Sequence, residues 1–221
     1  MNNKYKLVKS MKLKVGSTTL YRIKALRDFG NIKKGELGGY IENEKNLSHY
    51  GDCWVYGKAK VLDDARVFGD AQVLRKAQVY NNAKVFDNAK VFLNARVFGN
   101  ARVYGKAQVY NNARVSGNAW VYGNAKVYGS AKVYGKAKVG GGVNISMGKV
   151  TSRFKCINIT GLFYNITIVP GYVTIGCQTK SNEEWLKVTK KQAIEMELPA
   201  EQYSQIKTVV KKLMMEKNND S

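Results

Sequence analysis

The sequence is short of the residues that most catalysis relies on. Its 221 residues include one histidine, His49. That count alone excludes a zinc centre with three histidine ligands. The three cysteines, Cys53, Cys156 and Cys177, are too few and too irregularly spaced for a disulfide framework or a CxxC metal pair, which suits a reducing compartment. There is no run of 18 apolar residues, and the opening MNNKYKLVKS lacks an apolar signal core. Neither export nor membrane spanning is therefore expected, and a cytoplasmic place is. Walker A, HExxH and dinucleotide fingerprints are absent. Acidic side chains are scarce too: 16 Asp and Glu stand against 37 Lys and Arg, a formal net charge of +21. Such an excess attracts anions, or else only solvates a repetitive surface.

What the chain does have is a six-residue unit. Alanine recurs at every sixth position from Ala59 to Ala137, with valine two places later from Val61 to Val139. The same phase reaches back through Cys53/Val55 and Leu47/His49, and forward to Val143/Ile145. A hexad does not wind a coiled coil. It suits a short strand followed by a two-residue corner, with Ala and Val inward and their neighbours outward. The corners read Gly-Asn, Gly-Lys, Asn-Asn, Asp-Asn and Gly-Asp, residue types that tolerate positive φ at a sharp bend.

Three such units would close one triangular coil of about 18 residues, and about 105 residues would stack as about six coils, roughly 28 Å of prism. The pattern of an aliphatic residue with a small residue four places on, as in Val67/Ala71 and Val97/Ala101, resembles the hexapeptide-repeat left-handed β-helix family. The fold expected is thus an all-β solenoid: a left-handed parallel β-helix over residues 41–149, an N-terminal β cap over 1–40, and a small α+β region over 150–221. The cap reading rests on alternating apolar and polar residues at Lys4–Val8 and Leu20–Leu26, with a turn at Gly16-Ser17, and on the need to cover the end coil of a solenoid.

Residues 30–55 read GNIKKGELGGYIENEKNLSHYGDCWV. With LYRIKAL before them, and IGCQTKSNEEW near the far end, they resemble an uncharacterised family common in bacterial prophages. Its members join a GELGG…E-x-E-x-NLS block to V-[YF]-G-N-A repeats and are often labelled transferases on fold alone. Glu42, Glu44 and Asn46 are read as a polar turn network near the first coil. Beyond the prism, strands are expected at Cys156–Ile159, Tyr164–Val169 and Tyr172–Cys177, with Cys177 as a core thiol. A capping box at Ser181 and Glu184 should start a helix carrying Trp185 and Leu186. Pro199 should open a second, with Tyr203, Ile206, Val210 and Leu213 on one face.

The outward positions form columns at 18-residue intervals. Mostly rings follow the inward valines: Phe68, Phe86, Tyr104 and Tyr122 in one column; Tyr56, Leu74, Phe92, Tyr110 and Tyr128 in a second; Leu62, Tyr80, Phe98, Ser116 and Tyr134 in the third. Beside them run Lys, Arg and Gln. Stacked rings stabilise a solenoid, and ring columns of this size also suit burial between subunits. The family resemblance implies the same: such β-helix proteins assemble as trimers with ligands in the clefts between prisms.

Cations interleaved with rings suit a phosphate-plus-base ligand. The residues expected to bind it are Arg66, Lys84, Arg102 and Trp120, with Phe86, Tyr104 and Tyr122. The leading expectation is a non-enzymatic phage-type protein that sequesters a small anionic, nucleotide-like ligand in its host cell, with a role against host defence and longer nucleic acid as another partner. No cofactor or metal is expected. One alternative is an acyltransferase, for which His49 would be the general base. The other is a structural protein whose coils stack end to end. His49 lies on the inward valine phase and is expected to be packed and hydrogen-bonded.

Overall fold

A computed structural model of the chain describes residues 3–151, 157–159, 166–169, 171–175, 178–199, 203–208 and 211. Residues 1–154 and 155–221 form two compact units.

The first unit is a parallel β-solenoid of about six coils. Each hexad contributes a two-residue strand, and strands 18 residues apart pair in parallel, as Lys60 with Gln78 and Val61 with Val79. Three flat faces result. Face 1 carries Lys60, Gln78, Arg96, Arg114 and Lys132 outward. Face 2 carries Arg66, Lys84, Arg102, Trp120 and Lys138. Face 3 carries Gln72, Lys90, Gln108, Lys126 and Asn144. Every alanine from Ala59 to Ala137 and every valine from Val61 to Val139 is buried. The core is therefore a stack of identical small layers, held by bonds such as Lys60 N–H to the Ala77 carbonyl at 2.9 Å and Leu62 N–H to the Val79 carbonyl at 3.1 Å.

The corners explain the Gly, Asn and Asp. The first corner residue is left-handed in each coil, at Gly99 (φ 68°) as at Asn81 (φ 55°). At Gly99 the close stacking of coils adds a second reason, because a Cβ there would lie 2.9 Å from the Gly117 nitrogen. Arg75 (φ 63°) and Leu93 (φ 61°) hold the same conformation despite their side chains.

The cap is built from β1 (Tyr5–Val15), β2 (Thr18–Ala25) and β3 (Leu37–Ile41). β2 runs antiparallel to both β1 and β3, and β3 joins face 1 in parallel through Tyr40 with Lys60. The first coil has no coil before it to donate hydrogen bonds to its carbonyls. The Lys4 ammonium, 0 % exposed, donates instead to the Gly51 carbonyl (3.0 Å) and the Cys53 carbonyl (2.9 Å). The Tyr5 hydroxyl donates to the Leu47 carbonyl at 2.7 Å. Burial lowers the Lys4 pKa and raises that of the Tyr5 phenol well above its usual range.

The phase differs from the sequence expectation at one point. Leu47 pairs with Val67, so it fills the valine layer and not the alanine layer. Two extra residues are therefore taken up in the corner between Leu47 and Cys53, and His49 belongs to that corner instead of the inward valine position. A hexad count cannot register such an insertion when polar residues fill it.

The second unit contains an antiparallel sheet of four strands, Ile157–Ile159, Ile166–Val169, Tyr172–Ile175 and Gln178–Ser181. The fourth strand and helix α2 (Lys190–Glu195) are additions to the expected elements. Helix α1 (Asn182–Lys187) starts at the expected Ser181/Glu184 capping box. Trp185 packs with Ile166, Ile168, Val173 and Ile175 and donates its indole N–H to the Val173 carbonyl at 2.8 Å. Residues 203–208 are helical. Cys156, Cys177, Val210 and Leu213 lie outside the described residues.

Two substitutions test this geometry. Ala101→Leu would overpack a closed layer and is expected to cost about 1–3 kcal/mol or more. Leu93→Gly relieves a left-handed side chain, roughly 1–2 kcal/mol, against about 0.5–1 kcal/mol of added chain entropy. Thermal unfolding should show a marked loss for the first, and an unchanged or slightly raised midpoint for the second.

Candidate functional site

The ring columns form as stacks. On face 2, Phe68, Phe86, Tyr104 and Tyr122 lie with centroids 4.8, 4.9 and 5.4 Å apart and planes within 12°. Tyr80–Phe98 and Phe92–Tyr110–Tyr128 stack the same way on the other columns. The rings are half-buried by one another, with Tyr134 the most open of them, so much of the apolar surface is already covered within one chain.

All seven residues expected to bind a ligand lie on face 2. Arg66, Lys84, Arg102 and Trp120 follow one another in register. Trp120 is the point where the two columns meet: Tyr104 approaches its edge at 6.3 Å, and Arg102 and Lys138 lie over its ring at 5.1 and 4.9 Å. A charge on each side of an indole is favourable to the quadrupole, but it also occupies the faces on which a base would stack. Arg66, Lys84 and Arg102 line a groove of about 460 Å³ with Asp64, Asn82 and Asn100.

A larger groove, about 660 Å³, lies on face 1. Lys58, Lys60, Lys76, Arg96 and Arg114 line it with Gln78, Asn94 and Asn112, and Leu13 and Tyr40 from the cap strands add apolar surface. No acidic residue lines it. The cations converge because Lys58 and Lys76 sit at the corner position before the inward alanine, while Lys60, Arg96 and Arg114 sit just after it. Column reasoning that considered only the outward strand positions missed the corner lysines. A visible signal was the acid-free stretch between Asp87 and Glu183. Among the described residues two ion pairs form, Lys33–Asp28 and Lys45–Asp64, and neither involves the groove.

His49 is half-buried and stacks on Tyr5, with centroids 4.3 Å apart and planes 18° apart. Its Nδ1 accepts the Lys4 backbone N–H at 3.2 Å, which assigns the imidazole proton to Nε2. Nε2 has no partner. With its one lone pair engaged, the ring is poorly arranged to take a proton from a substrate. Glu42 accepts the Asp63 N–H at 2.7 Å, and Asn46 donates to the Asp63 and Ala65 carbonyls, both at 2.9 Å. These are bonds of the polar turn network that the sequence suggested. No helix among the described residues is long and apolar enough to cross a membrane.

Burial lowers the His49 pKa from its usual value. The unfolded chain then binds more protons than the folded one just below the ordinary histidine range, so stability should fall as pH drops through that range. Melting curves between pH 7.5 and 5 should show this loss, and His49→Gln should flatten it. An unchanged slope would mean that His49 charges freely in the folded state.

Two comparisons bear on kinship. No match was found among curated proteins. The YdcK beta solenoid repeat family matches residues 95–107 and 107–123, in the middle of the prism. That match and the six stacked coils agree: this stretch of the chain is similar to a β-solenoid repeat.

Proposed function

We propose that the protein is a non-enzymatic binding protein for an anionic, nucleotide-like ligand with more than one phosphate. The observation that carries this reading is the face 1 groove, with five cations, no acid and an apolar wall in one lining. Unpaired cations held side by side repel one another, and an anion bound among them removes that repulsion. The cations span four successive coils, roughly 15 Å at one strand spacing per coil, which suits several phosphates better than one. Tyr40 and Leu13 offer a surface against which a base could rest. The groove belongs to a single chain, so binding does not require a neighbouring subunit. A left-handed hexapeptide prism, assembly as a trimer, and a prophage-type counter-defence role in the bacterial cytoplasm extend this proposal. They rest on the resemblance of the GELGG block and the repeats.

Calorimetry with a panel of linear and cyclic oligonucleotides, at low and physiological salt, tests the proposal. A small ligand in the groove makes few phosphate contacts, so its affinity should fall gently with salt, whereas long nucleic acid held only by charge falls steeply. Arg96→Ala and Arg114→Ala should each cost about 1.5–3 kcal/mol of binding. Binding of long DNA or RNA at low salt alone, with no small ligand held at physiological salt, would reduce the groove to ordinary solvation.

A further inference from the structure

The face 2 ring stack ends differently at its two ends. Each ring residue donates its N–H to the valine carbonyl of the next coil, as Phe68 does to Val85 and Phe86 to Val103. At the far end the following rung position is Gly140, and a Cβ there would clash with the Tyr122 ring. That end is closed by backbone lying on the ring. At the near end the rung preceding Phe68 would be Tyr50 by strict 18-residue counting. The insertion in the first coil changes this: Ser48, not Tyr50, donates to the Val67 carbonyl, at 2.9 Å. Tyr50 is turned into the widened corner and is 76 % exposed. A serine thus stands where a ring would lie, and among the described residues no ring stacks on the outer side of Phe68.

A cavity of about 540 Å³ opens there. Its lining combines Phe68, Leu47 and Val67 with Arg66, Lys84 and His49. Ser48, Tyr50, Lys45, which is already paired with Asp64, and one carboxylate, Glu44, complete the lining. The geometry points to a second binding site: a nucleoside monophosphate whose base takes the missing rung on Phe68, with Arg66 and Lys84 receiving its phosphate. A planar base continues the stack at the cost of no ring already in place, and stacking of this kind tolerates any base. Two cations beside one apolar ring face suit a single phosphate better than a polyanion. The site shares no lining residue with the face 1 groove, so it stands or falls independently of that reading.

The four ribonucleoside monophosphates, the matching nucleosides and inorganic phosphate, titrated into the full chain at physiological salt, test the site. At least one monophosphate should bind, with its nucleoside and free phosphate each at least tenfold weaker. Ser48→Phe supplies the missing rung, so it should abolish binding without lowering the melting midpoint. Phe68→Leu and Lys84→Ala should each weaken binding about tenfold or more, and Arg96→Ala on face 1 should not change it. Should Ser48→Phe fail to fold, Phe68→Leu decides. Binding by none of the monophosphates overturns the site, as does binding that survives both ring-position variants. Binding lost in Arg96→Ala but kept in Ser48→Phe would assign the nucleotide to face 1 and remove the slot.

Discussion

Everything in the solenoid depends on one constraint: each coil must place its backbone donors and acceptors opposite those of the next. Parallel strands two residues long have almost no pairing strength alone. They persist because the same register is repeated on three faces at once, so a slip on one face would break all three. That requirement selects a small residue and a β-branched residue inside, since every layer must have the same cross-section as its neighbours. It also brings like outward residues into contact, which is why ring stacks on ring, as Tyr80 on Phe98.

The same constraint creates a difficulty at the first coil, whose carbonyls have no partner coil. The chain meets it with side chains instead of another strand. Lys4, just before β1, and Tyr5, its first residue, supply donors to Gly51, Cys53 and Leu47. A buried ammonium is costly by itself, but here it satisfies the buried Cys53 carbonyl and the Gly51 carbonyl, and it lies over the Phe29 ring at 4.9 Å. The end of the prism is thus its most polar interior, and it is also where the hexad register yields.

Charge is the third consequence of repetition. A column that repeats lysine or arginine every coil sets like charges one strand spacing apart, which costs stability through mutual repulsion. The chain does not offset this with alternating acids, since none occurs between Asp87 and Glu183. A fold that needed only solubility could mix signs at no structural cost, because outward positions are indifferent to the core. The face 1 groove concentrates that unbalanced charge beside an apolar wall, an arrangement that gains from an anion.

The sequence by itself determined the prism: the hexad, the inward Ala and Val, the turn chemistry of the corners and the membership of each ring column. These follow from a period, and a period fixes neighbours 18 residues apart without reference to anything distant. It also placed Arg66, Lys84, Arg102 and Trp120 on one face with Phe86, Tyr104 and Tyr122, and marked the Ser181 capping box. Tertiary structure decided what a period cannot encode. The two extra residues after Leu47 moved His49 and Tyr50 into a corner and put Ser48 at the rung, because pairing to Val67 outweighs the local spacing. Leu13 and Tyr40 reach the face 1 groove only because the cap strands pair into the solenoid sheet. Helix α2 and the Gln178–Ser181 strand depend on packing and pairing within the second unit, where no repeat announces them.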